Sequence, residues 1–237
     1  GGVPSGWVSG DRLREERVSS MMRPGQRNVR LRLCLLVGLL LTLPARADEG
    51  RRNISKATTI TEAGTYLVTR SFTSATDPVI LIAADDVTLD LGGQLVSSTN
   101  VGALASIIKI ADGKTRITIQ NGRLSGSYHG IIHDVTGSYG AGALRLRLEN
   151  IELANTSNTG MVIRDLQYLE LLSCTVIGCL NGIDFYALPS LPTFGGRAIG
   201  NRLEGKGLVT GLGLTGFVGG EVRGNLLSGG YALSVSG

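Results

Sequence analysis

From about residue 57 onward, apolar and polar residues alternate in short runs, and the runs recur. Gly130-Ile131-Ile132-His133, Gly160-Met161-Val162-Ile163, Gly182-Ile183-Asp184-Phe185 and Gly211-Leu212-Gly213-Leu214 share one plan, a Gly followed by apolar residues two apart. Tyr231-Ala232-Leu233-Ser234-Val235, Val79-Ile80-Leu81-Ile82 and Ile107-Ile108-Lys109-Ile110 fit without the Gly. A period of two is the signature of a strand with one buried face. A second marker, Asn or a small residue before an apolar one, precedes most of these runs at 121, 150, 173, 201 and 225. A third set of alternating runs lies just before each marker, such as Ile117-Thr118-Ile119-Gln120 and Leu144 to Glu149. Each unit of about 22–30 residues therefore holds three short strands separated by Gly, Asn, Ser or Thr. No stretch after residue 48 keeps the i, i+3, i+4, i+7 spacing of a long helix.

One such unit cannot bury its own apolar face. Stacking units along an axis buries a continuous aliphatic column and hands each strand's backbone to the next coil. Asn suits the turns because its short amide tolerates the left-handed region, and stacked Asn side chains can form a ladder. Composition agrees with many strands and tight turns: 35 Gly, 6 Pro and 5% aromatic residues, with no Gly-X-Y period.

These repeats resemble right-handed parallel β-helix proteins of the pectate-lyase-like superfamily, over about residues 57–237. The entry segment Thr59 to Val68 and the run Ile82 to Gly93 look like the start of such domains. The fold expected is all-β, a right-handed parallel β-helix solenoid of about seven coils, the right hand following the family and the bias of parallel crossovers. The chain stops inside a strand at Leu233-Ser234-Val235-Ser236-Gly237, so the solenoid over 59–237 is expected to be incomplete.

The first 58 residues read differently. Residues 1–20 carry the charge run Asp11 to Arg17 and are read as an upstream extension foreign to the fold. Residues 21–47 have the parts of a secretory signal peptide: Arg23, Arg27, Arg30 and Arg32, then the apolar run Leu33–Leu43, then Ala45-Arg46-Ala47. That apolar run is too short for a stable bilayer anchor. Residues 48–58 are a linker. The expected location is secreted or periplasmic, with no membrane insertion after cleavage.

Charge then changes meaning. The whole chain has 23 basic and 19 acidic residues. Residues 1–47 hold 8 Arg and 3 acids, so the remainder keeps 15 basic against 16 acidic residues. No basic footprint for nucleic acid is left.

In a solenoid, sites form where outward side chains of successive coils line up. With Ile80/Ile82, Ile108/Ile110, Ile131/His133, Met161/Ile163, Ile183/Phe185 and Leu212/Leu214 as inward pairs, the outward patch contains Lys109, Asp134, Arg164, Asp184 and Tyr186. The resemblance implies a polysaccharide ligand and, if the protein is catalytic, β-elimination on a uronate. Arg164 or Lys109 would then be the base, with Asp134, Asp184 and Tyr186 binding substrate and Ca²⁺ a possible aid through Asp134 and Asp184. No residue is assigned as a certain metal ligand. The competing class is a non-catalytic, adhesin-like surface solenoid, in which the same patch is a solvated face.

Other residues bear on the chemistry less. His129 and His133 read as a turn residue and an inward hydrogen-bonded one, or else as a base or ligand near Asp134. Asp85, Asp86 and Asp90 read as turn formers rather than a Ca²⁺ cluster. Arg145, Arg147, Glu149, Glu152 and Glu170 read as a charged ladder that keeps the sheet soluble. Cys174 and Cys179 are either bonded across a turn or two buried thiols.

Overall fold

A computed structural model describes residues 50–133, 144–187, 194–205, 210–228 and 231–236. Within the compact unit Gly50–Gly237, these residues form 20 strands in one sheet, with no helix. No helix among them is long and apolar enough to cross a membrane. The paired strands run parallel, and they pair across coils. The fold is a parallel β-solenoid with three faces.

The first face is built from Thr58–Ile60, Ile80–Ile82, Ser106–Ile110, His129–His133, the start of Thr159–Leu172, Asn181–Ala187, Thr210–Thr215 and Tyr231–Ser236. The second takes Arg51–Ile54, Gly64–Val68, Val87–Asp90, the starts of Ile117–Gly126 and Leu144–Ala154, the end of Thr159–Leu172, Gly195–Ile199 and Glu221–Arg223. The third takes Phe72–Ser74, Leu95–Ser98, the ends of 117–126 and 144–154, Thr175–Cys179, Arg202–Gly205 and Leu226–Ser228.

Inward side chains stack into columns. On the first face one column runs Ile60, Ile82, Ile110, His133, Ile163, Phe185, Leu214, and the backbone register continues to Val235. Successive members are 22, 28, 23, 30, 22, 29 and 21 residues apart, giving seven advances along the axis. Each fully buried aliphatic residue contributes on the order of 1.5–3 kcal/mol. His133 is the polar intruder in this column.

The corners explain the punctuation of the sequence. Between the second and third faces, a residue with positive φ turns each coil: Gly92, Asn121, Asn150, Ser173, Gly200 and Gly224, all with φ between 52° and 67°. The Asn marker at 201 and 225 is thus one residue past the turn. There the amides do other work. Asn201 Nδ2 donates to Asn225 Oδ1 at 2.8 Å and to the Leu171 carbonyl at 2.9 Å, while the Cys174 amide donates to Asn201 Oδ1. Asn150 Nδ2 donates to Asn121 Oδ1 at 3.3 Å at the turn position itself, a separate and exposed contact.

At the entry to the first face, Gly130, Gly160, Gly182 and Gly211 stack. A Cβ on Gly130 would lie 2.5 Å from the Gly160 carbonyl oxygen, and one on Gly160 would lie 2.6 Å from that of Gly182. A Cβ on Gly182 would strike the Gly211 carbonyl. The recurrent Gly is there because the next coil's backbone occupies the space of a side chain.

Candidate functional site

The first face carries a recess of about 230 Å³ on its outer side. Its floor is Ile132 and Val162, which are register partners in adjacent coils. Asp184 follows Val162 in the same outward column, one coil further on. Arg164 and Tyr186 close one end, and Leu104 and His129 close the other. Leu104 comes from the segment that leads into Ser106–Ile110 and has φ 71°.

Arg164 lies over the Tyr186 ring, with its Cζ 5.9 Å from the ring centroid, a cation–π arrangement. Burial pushes the Asp184 carboxyl above the ordinary carboxylate range. Burial also raises the Tyr186 phenol, the Asp184 charge adds to that, and Arg164 opposes it. A cation, a partly desolvated carboxyl and a half-exposed ring therefore share one small space with an apolar floor. Such a set can grip an acidic sugar: the guanidinium takes a carboxylate, the carboxyl and phenol take hydroxyls, and the apolar floor meets C–H faces.

Of the outward residues read from the sequence, Arg164, Asp184 and Tyr186 come together here. Lys109 does not line the recess. It pairs in register with Ile132, so two further coils carry the column from it through Val162 to Asp184. At roughly 4.8 Å per coil that places it on the order of 14 Å from Asp184. Asp134 lies outside the described residues. Among the described residues, no three His, Cys, Asp or Glu side chains gather as metal ligands. Ca²⁺ takes six to eight oxygens, and among the described residues Asp184 is the one carboxylate lining the recess. The described residues do not make a Ca²⁺ cage.

Beneath the recess lies a polar pair that the sequence signals weakly. His133 is 1% exposed and Asp165 is 1% exposed. His133 Nδ1 donates to the Arg164 carbonyl oxygen at 2.7 Å, which fixes the proton on Nδ1. Nε2 is buried and has no hydrogen-bond partner among the described residues, and neither has either Asp165 oxygen. Burial drives the Asp165 carboxyl up, His133 acts against that, and Asp112 adds to it. Asp165 turns the corner with φ 58°. The inward, hydrogen-bonded reading of His133 fits this geometry, while His129 sits within the strand His129–His133 beside Tyr128, ring edge to face at 4.7 Å.

Asp85, Asp86 and Asp90 are occupied structurally. Asp85 accepts from the Thr115 amide, Asp86 pairs with Arg116, and Asp90 accepts from the Gly92 amide, Gln120 and Asn121. Cys174 and Cys179 are free, buried thiols. No family model, curated protein or solved structure matches this chain.

Proposed function

We propose that this chain is an extracellular β-solenoid of the pectate-lyase-like kind that binds an acidic polysaccharide in the first-face recess. The observation that carries the reading is Arg164 stacked over Tyr186 beside the half-buried Asp184. The leader-like residues 21–47 support a secreted or periplasmic location.

If the protein turns its ligand over, β-elimination on a uronate is the reaction the residues suit. The proton on the carbon next to the carboxylate passes to a base. Its electron pair forms the new C=C, and the C–O bond to the leaving sugar breaks. Arg164 serves both ends of the step, one nitrogen taking the proton while another keeps its hydrogen bond to the carboxylate, and Asp184 and Tyr186 hold hydroxyls. The test is incubation with polygalacturonate and with alginate, following the ultraviolet absorbance of unsaturated products. Product formation that Arg164→Gln abolishes supports elimination. No product, with or without added Ca²⁺, removes the lyase reading and leaves binding to be measured by itself.

A second reading, a non-catalytic surface solenoid, is favoured by the second face. There Arg147, Glu170, Arg197 and Glu221 alternate in register along four coils. Arg147 donates to Glu170 at 2.8 Å and Arg197 pairs with the other Glu170 oxygen. Such a wall of neutralised charge serves solubility.

A further inference from the structure

The second face also carries charge that this column does not neutralise. Arg116 stands immediately before Ile117, and Arg145 immediately before Leu146, which is the register partner of Ile117. Two guanidinium-bearing residues thus enter the second face on successive coils, about 4.8 Å apart along the axis. Like charges stacked this way repel. Arg116 is answered by Asp86, with Nη2 donating at 2.7 Å. Among the described residues, no acid answers Arg145. Its Nε donates to Gln167 Oε1 at 3.0 Å, a neutral partner, and none of the ion pairs on this face among the described residues includes it.

These two arginines line a shallow cavity of about 180 Å³ with Thr118, Arg147 and Tyr168. Arg145 and Tyr168 are direct register partners on adjacent coils. Tyr168 is 41% exposed, an aromatic ring left facing solvent beside an acid-free guanidinium. Glu170 borders the same cavity, but both its oxygens are engaged, one by Arg147 and one by Arg197. The space is therefore bounded by donors, with a ring platform at one side.

We propose that this cavity is an oxyanion subsite for an acidic sugar, separate from the first-face recess. Arg145 takes the planar carboxylate or the sulfate ester, Thr118 donates its hydroxyl, and the sugar ring lies on Tyr168. A guanidinium fork matches either oxyanion, so the shared chemistry is an anionic group carried on a sugar ring. The bound anion gives Arg145 the acidic partner that it lacks among the described residues. The site needs nothing from Arg164, Asp184 or Tyr186.

The test is isothermal titration of the full chain with trigalacturonate, the carboxylate arm, and with galactose 6-sulfate, the sulfate arm. Both arms are repeated on Arg145→Gln, Tyr168→Ala and Arg164→Gln, with thermal melts to show that each variant folds. The expected result, in at least one arm, is a binding step that Arg145→Gln weakens roughly tenfold or more, the worth of one charge-assisted hydrogen bond. Tyr168→Ala weakens the same step and Arg164→Gln leaves it intact. Isotherms unchanged by Arg145→Gln in both arms overturn the proposal, as does the absence of heat in both. Binding lost only in Arg164→Gln also overturns it, while upholding the first-face reading.

Discussion

His133 holds the backbone of Arg164 from inside the solenoid: its Nδ1 donates to the Arg164 carbonyl at 2.7 Å, one coil further along. The ring occupies a rung between Ile110 and Ile163, where every other coil places an apolar side chain. His133→Leu gives up one hydrogen bond but also removes the orphan Nε2, so stability should change by less than about 1 kcal/mol. His133→Ala should cost about 2–4 kcal/mol, because it also leaves a void. Urea midpoints with unchanged slopes measure both. Equal losses in the two variants would count against the packing role.

Asp165 and Glu170 should respond to pH in opposite senses. Burial raises the Asp165 carboxyl, so its contribution to stability is full below the unfolded pKa, about 3.9, and is lost as pH rises through the folded value. Asp165→Asn should therefore raise the melting temperature at neutral pH and do little in acid. Asn also accepts the left-handed backbone at this corner. For Glu170, burial pushes upward, but the hydrogen bonds and charges of Arg197 and Arg147 outweigh it and hold the carboxyl below its ordinary value. Its contribution is present above the unfolded pKa and is lost as pH falls. Glu170→Gln should lower the melting temperature at neutral pH and lose that effect in acid. Melting curves from pH 3 to 8, in roughly unit steps, check both signs.

The glycine stack makes a sharp contrast with the open turns. Gly160→Ala would press a methyl group to 2.6 Å from the Gly182 carbonyl. A loss of more than about 3 kcal/mol is expected, since backbone must move. Gly93, unlike Gly160, has positive φ, 73°, with open space where a Cβ would go. Gly93→Ala should cost only the backbone strain, about 1 kcal/mol. Comparable losses at the two positions would contradict the stacked-carbonyl explanation.

Cys174 and Cys179 should resist thiol reagents in the native protein. Both are buried, and burial pushes the Cys174 thiol up to about 12. Reaction with a bulky maleimide should track global unfolding across a denaturant series. Fast labelling of either residue under native conditions would show that the core around Thr175–Cys179 opens locally.

The register of the first face was legible because its alternation is strict. Ile80, Ile108, Ile131, Met161, Ile183 and Leu212 pair coil by coil as the spacing of two predicts. The Asn marker was only partly legible, because two jobs share one signal. Asn121 and Asn150 take the left-handed turn, whereas Gly200 and Gly224 take it further on and free Asn201 and Asn225 for the inner ladder. Arg164, Asp184 and Tyr186 could be grouped from the outward columns. The separation of Lys109 from them follows from counting coils rather than residues. Asp165 was not legible as a buried acid: an Asp at a corner normally faces water, and only the three-dimensional turn puts it under Arg164.

The central claim is that the first-face recess selects acidic sugar through Arg164. Its most direct measurement is equilibrium binding of a charged oligogalacturonate and of a neutral galactan oligomer of equal length, to the wild type and to Arg164→Gln. The account predicts that the wild type prefers the charged ligand and that the variant loses most of that preference. Equal affinity for charged and neutral ligands, or a variant indistinguishable from the wild type, would contradict it.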